Sequence, residues 1–197
     1  MLTRSTYFIR ERVRLLKLTD TYDIFDPDSR TQIGIAKDKP GDLVQALRLF
    51  LGKEALPIKI FVYEGDNPDD ETRLLFSIQR GFTLWRSRVN VFDKDGQIIG
   101  WFISKILSIG GAFTVFDAEG IQIATVQGDW KGWNFSFRDA SGSEIGNITK
   151  KWSGVGKELF TTADNYMISL TQEYPSKTNL LLLAAGLAVD TVFKEKK

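Results

Sequence analysis

Neither cysteine nor histidine occurs anywhere in the 197 residues. Without thiols there is no disulfide framework and no S-palmitoyl anchor; without imidazole there is no Ser-His-Asp triad; without both there is no Cys/His zinc site. Any metal would be a hard cation on oxygen ligands. An excess of either charge is also missing. With 26 Lys+Arg against 25 Asp+Glu, the formal net charge is +1, too small for the whole-molecule field to attract nucleic acid or an anionic membrane, although a local basic face can still form. Long apolar runs are absent too. The longest, Leu180 to Val189, has ten residues, about half of the roughly 20 that a membrane-spanning helix needs. The opening MLTRSTYFIRERVRLLKL is broken by charge throughout and has no secretory h-region, which predicts a cytoplasmic protein, peripheral if it meets a membrane. The sequon at Asn147 then has no glycosylation meaning.

What is present is the composition of one globular domain, residues 1–197, with 43% hydrophobic and 26% charged residues. Four segments share a local grammar of an aromatic, an Asp, a turn residue, then Ile and a small residue. They are FDPDSRTQIG from Phe25, FDKDGQIIG from Phe92, FDAEGIQIA from Phe116 and FRDASGSEIG from Phe137. In the last three, Asp93/Gly96/Ile99, Asp117/Gly120/Ile123 and Asp139/Gly142/Ile145 keep identical spacing; the first has one extra residue and no Gly. The Asp can accept from turn amides and the Gly supplies positive φ, so each reads as a β-hairpin, and Arg88 to Ile148 reads as a meander. A propeller or solenoid is the competing reading, weakened by the small number of copies.

Two segments break the strand pattern. Gly41 to Glu54 places Leu43, Ala46, Leu47, Phe50 and Leu51 on one stripe at helical spacing, which predicts a short amphipathic helix covering the side or end of the sheet. Leu180 to Val189 is apolar on every face, which predicts a helix surrounded by protein, about residues 178–193, with Asp190 at the mouth of the cavity. Hairpins plus such a helix point to a mainly β fold: one closed antiparallel barrel around a central C-terminal helix, closure removing the exposed edges.

The run from Phe137 to Leu170 carries Gly146, Ile148, Lys150, Trp152 and Gly154, then Glu158-Leu159-Phe160-Thr161 and Ala163-Asp164-Asn165, followed by LLLLAAGLAVD. It resembles the phospholipid scramblase family, with the LURP-one-related proteins and, more distantly, the Tubby C-terminal domain. The resemblance implies a barrel of about twelve strands around the C-terminal helix, and calcium-activated movement of phospholipids between leaflets. The calcium loop of animal members falls on Thr162, Asp164 and Glu173 here. Tyr166 and Met167 stand where an EF-hand-type loop wants an oxygen ligand and Gly, so a turn capped by Asp164 and Asn165 is the other reading. The palmitoylated cysteine cluster of animal members has no counterpart.

Arg10, Arg12, Arg14 and Lys17 alternate with apolar neighbours, and Lys150, Lys151 and Lys157 bracket Trp152. These cations are the expected contacts for anionic phospholipid head groups, the alternative being the wet side of ordinary strands. Trp85, Trp130 and Trp133 read as rim or core packing rather than as stacking platforms for nucleic acid, and EGDNPDDE from Glu64 as a solvated hairpin tip. No acid and base are paired by spacing, so no enzyme is predicted. Two functions remain: a peripheral phospholipid-binding, scramblase-like protein, or a structural or regulatory barrel binding a protein or small apolar ligand.

Overall fold

The computed structural model describes residues 1–12, 19–48, 50, 56–82, 88–104, 112–129, 132–150 and 165–190. Twelve strands follow one another: β1 (Thr6–Glu11), β2 (Thr21–Phe25), β3 (Gln32–Asp38), β4 (Ile58–Glu64), β5 (Leu74–Arg80), β6 (Arg88–Asp93), β7 (Ile98–Ser104), β8 (Ala112–Asp117), β9 (Gln122–Asp129), β10 (Asn134–Arg138), β11 (Glu144–Thr149) and β12 (Asn165–Leu170). Helix α1 (Asp42–Leu47) lies between β3 and β4, and α2 (Ser176–Ala188) follows β12. Each strand pairs antiparallel with its sequence neighbour, and β1 closes on β12 with Tyr7 opposite Ile168 and Ile9 opposite Tyr166. The barrel is a full meander rather than a stack of repeated blades.

The four quoted segments form the turns β2–β3, β6–β7, β8–β9 and β10–β11. In the β10–β11 turn, Asp139 accepts from the amides of Ser141 (2.9 Å) and Ser143 (3.0 Å), while Gly142 takes φ 86°. Asp93 and Asp117 serve their turns in the same way, accepting from Gln97 (2.8 Å) and Ile121 (2.7 Å). In the longer first copy Arg30 takes the left-handed position, φ 58°, one place after where the others have Gly. All four hairpins carry a register shift at the strand end, as a turn followed by a left-handed residue requires.

The interior is built from all twelve strands and α2. Tyr7, Ile9, Ile24, Val62, Phe76, Val91, Phe102, Val115, Val126, Phe137 and Ile168 point inward onto Leu180 to Val189, every one of which is buried. Because α2 is apolar all round, no face of it could turn to water, and burial of each leucine contributes about 2 kcal/mol. Two glycines let strand and helix approach: a Cβ at Gly100 would lie 2.7 Å from Leu181, and one at Gly186 would lie 2.4 Å from Ile168. A helical turn continues α2 to Asp190, which is buried at the barrel mouth where the sequence predicted it. At the other end Asn179, fully buried, donates to the carbonyls of Leu2 (2.7 Å) and Arg4 (2.8 Å), and Tyr7 donates to Arg4 (2.9 Å). Burial pushes the Tyr7 hydroxyl up to about 12.

The stripe predicted on α1 does not cover the barrel. Leu43 is 72% and Phe50 85% exposed, Ala46 is exposed too, and Leu51 lies outside the described residues. The face turned inward is Val44, Leu47 and Arg48, because Arg48 forms a buried ion pair with Asp38 and its other nitrogen reaches the Pro57 carbonyl (3.5 Å). An i, i+3, i+4 face anchored on a charge pair outweighs the apolar stripe here.

Gly186→Ala should lower stability by about 1–3 kcal/mol although Ala is the better helix former by about 1 kcal/mol, since the methyl overpacks onto Ile168. Thermal unfolding of G186A, and of G186A with Ile168→Val, checks this: the second change should recover part of the loss.

Candidate functional site

The outer face of β1 to β4 carries the densest described set of cations. Inward Tyr7, Ile9, Tyr22, Ile24 and Ala36 leave Arg10, Asp23, Ile35 and Lys37 on the outside, because alternate residues face opposite sides of a strand. The pairing Arg10↔Asp23↔Ile35↔Tyr63 runs as one row across the four strands, with Lys37 opposite Phe61 one step along. At about 4.8 Å per strand, the row from Arg10 to Tyr63 spans roughly 15 Å.

Asp23 sits at the centre of the row, 1% exposed. Arg10 donates to it at 2.9 Å, Arg12 at 2.6 and 2.9 Å, and the Gln32 side chain at 3.1 Å. Burial alone would raise the Asp23 carboxyl, but the hydrogen bonds from Arg12 and Arg10 outweigh it and hold the group below the usual carboxylate range. Arg10 also lies over the Phe25 ring, 4.6 Å from its centre. Both arginines remain more than two-fifths exposed, so each keeps donors for a second anion.

Next to them Lys39 and Tyr63 converge on Glu71. The Lys39 ammonium is 2.7 Å from the Tyr63 hydroxyl and 3.0 Å from the Glu71 carboxylate, which accepts from Tyr63 at 2.9 Å. Lys37 pairs with Asp69 at 3.1 Å. The segment read as a solvated hairpin tip therefore folds back onto the barrel, in a 3-10 turn at Glu71–Arg73 capped by Asp70, because these lysines attract its acids. Burial disfavours the Lys39 ammonium, yet the hydrogen bonds that it donates to Tyr63 and Glu71 raise its pKa overall; the same bond from Lys39 lowers Glu71.

The structure thus brings Arg10 and Arg12 together through Asp23. Lys150 stands apart at the barrel mouth, its ammonium 4.4 Å from the centre of the Trp133 ring, which packs on Tyr166 (5.0 Å) as a rim tryptophan. Arg14, Lys17, Lys151, Lys157, Thr162, Asp164, Trp85 and Trp130 lie outside the described residues. Glu173 is exposed after β12. Among the described residues no three acids gather as a metal site, and no helix is long and apolar enough to cross a membrane. Lys37 and Lys39 were not singled out from sequence. Their signal is the alternation K-D-K at the end of β3, but their partners lie 32 residues away.

Asp23→Asn should cost about 2 kcal/mol at pH 7, the range for charged hydrogen bonds. The depressed pKa means that the wild-type advantage is present above the ordinary Asp range and is lost as pH falls through it, below about pH 4. Urea unfolding of both proteins at pH 7 and pH 3 should show the gap closing in acid.

The Scramblase family profile matches residues 66–196. Phospholipid scramblase 1 of Mus musculus and that of Rattus norvegicus are each 37% identical to the chain over 54 residues, 27% of this chain. Those 54 residues span only 16% of each relative's length. No solved structure matches the chain. With two thirds of its length matched by one profile and a closed barrel around an apolar helix, this chain belongs to the Scramblase family.

Proposed function

We propose that the protein is a peripheral phospholipid-binding barrel that meets anionic head groups through the outer face of β1 to β4. The observation that carries this reading is the convergence of Arg10, Arg12, Lys37 and Lys39 on one outward face, in a chain whose overall net charge is only +1. A local patch of this kind attracts a membrane surface even when the whole molecule does not. Family membership supports the lipid class, and the name of the rodent relatives supports phospholipid scrambling as the activity. Scrambling needs a polar path across about 30 Å of hydrocarbon. The binding step requires no such path and stands by itself.

The second reading, a barrel that binds a protein, draws on the exposed Leu43 and Phe50 beside α1. A small apolar ligand finds its natural place, the barrel interior, occupied by α2.

Co-sedimentation with vesicles of phosphatidylcholine containing phosphatidylserine should capture the protein at 50 mM salt and release it as salt rises, while pure phosphatidylcholine should not. Arg10→Gln with Arg12→Gln should weaken binding at least tenfold, since each cation near the surface is worth about 1 kcal/mol; Lys150→Glu should leave it nearly unchanged. Absence of binding at 50 mM salt overturns the reading, and a loss confined to Lys150→Glu moves the contact to the rim.

A further inference from the structure

The β4–β5 connection, Gly65 to Arg73, is built as a strap over the basic face rather than as a loop into water. It leaves β4 at Gly65, whose φ of 82° turns the chain and whose amide is tied to the Ile33 carbonyl of β3 (2.9 Å). Two side-chain turns stiffen it. Asn67 accepts from the Asp69 amide (3.0 Å), and Asp70 accepts from the Thr72 amide (3.1 Å) and pairs with Arg73 (3.4 Å). These turns aim Asp69 and Glu71 at Lys37 and Lys39. Two acids of one short segment thus pair with two cations of the proposed contact face.

The placement of Glu71 is the informative detail. Its carboxylate oxygen lies between the Lys39 ammonium and the hydroxyl of Tyr63, a residue that is itself fully buried on the outer side of the barrel. A buried hydroxyl and an ammonium converging on one oxyanion form a preorganised anion subsite, with donors of the kind that recognise a phosphate. Its present occupant is held from one side only: Glu71 is 66% and Asp69 71% exposed, whereas Lys37 and Lys39 are 28% exposed and the lysine stems lie against the barrel. Lys39 packs on the ring of Tyr63, 4.7 Å from its centre. An exposed acid on a short strap can leave without disturbing the strands, while the cations that it covers cannot.

We infer that Asp69 and Glu71 form an acidic strap that occupies, in place of the ligand, a phosphate subsite made by Lys37, Lys39 and Tyr63, and that an anionic lipid head group binds there by displacing it. The inference rests on the lipid-binding reading of this face and adds to it an internal competitor. Such a strap makes affinity depend on surface charge density, because isolated phosphates compete poorly with a tethered carboxylate whereas a charged bilayer presents many at once. Free phosphate in solution is accordingly a weak ligand for the same site.

The test compares wild type, Asp69→Asn/Glu71→Gln, Lys37→Ala/Lys39→Ala and the fourfold combination. Each is tested on phosphatidylcholine vesicles with phosphatidylserine or a phosphoinositide, and against inositol trisphosphate in solution. Asp95→Asn/Glu119→Gln, at exposed hairpin tips, makes the same charge change away from the face. Opening the strap should raise vesicle affinity at least threefold, about what one surface charge is worth. The charge-matched control should stay near wild type, and the fourfold variant should lose the gain. Hydrogen exchange of residues 65–73 should speed up when wild type meets anionic vesicles, and inositol trisphosphate should compete only with the strap opened. If wild type binds vesicles but the strap variant binds no better than the control, the strap is a structural brace; the inference fails and the lipid-binding reading stands. If neither wild type nor the strap variant binds, the lipid-binding reading and the inference both fail. If only the strap variant binds, the lipid does not displace the strap of wild type, and both fail as well. Unfolding curves for all variants ensure that a loss is not a loss of fold.

Discussion

The structure depends on filling a closed barrel with a helix that has no polar face. Twelve antiparallel strands leave a lumen too wide for their own side chains to occupy, and α2 supplies the missing volume with Leu180 to Leu183, Leu187 and Val189. Neither part is stable alone. The helix cannot face water on any side, and an emptied barrel would leave inward Phe76, Phe102, Phe113 and Phe137 around a void. Hydrocarbon would suit these leucines as well as the barrel does. What keeps the helix in place is therefore the cost to the strands of losing it, together with the polar ends: Asn179 bound to the Leu2 and Arg4 carbonyls at one end, Asp190 buried at the other.

That constraint pushes function outward. With the interior occupied, binding has to use the outer face, the rim or the turns. On β1 to β4 the outer face is itself unusual, for Phe8, Ile35 and Tyr63, with Met167 of the adjoining β12, are buried although they do not belong to the central core. Charged side chains lie across this second apolar layer: Arg10 over Phe25, Lys39 over Tyr63. Long cationic stems resting on apolar surface are fixed in place with their charged heads at the boundary with water. This arrangement fits a surface that meets a charged interface better than one that merely keeps the barrel dissolved.

Charge balance on that face is local. Asp23 is ringed by Arg10, Arg12 and Gln32, and Glu71 is shared by Lys39 and Tyr63. The two acids differ in burial and so in role. Asp23 cannot leave without uncovering a buried carboxylate, which makes it a permanent part of the face; Glu71, mostly in water, can. A near-neutral chain can in this way hold a cationic surface whose countercharges are partly removable.

The hairpins and the central helix were legible in the sequence because their causes are local. Asp and Gly at fixed spacing dictate a turn whatever surrounds it, down to the longer first copy, in which Arg30 takes the left-handed position; a run apolar on all faces has to be enclosed. The chain alone also marked Arg10 and Arg12 as cations on a strand. It did not reveal their common partner Asp23, the reversal of the α1 stripe by Arg48 and Asp38, or the fold-back of the acidic segment onto Lys37 and Lys39. Those depend on which strands become neighbours and which acid meets which base across ten to more than thirty residues. Periodicity carries no information about such pairings, and only closure of the barrel decided them.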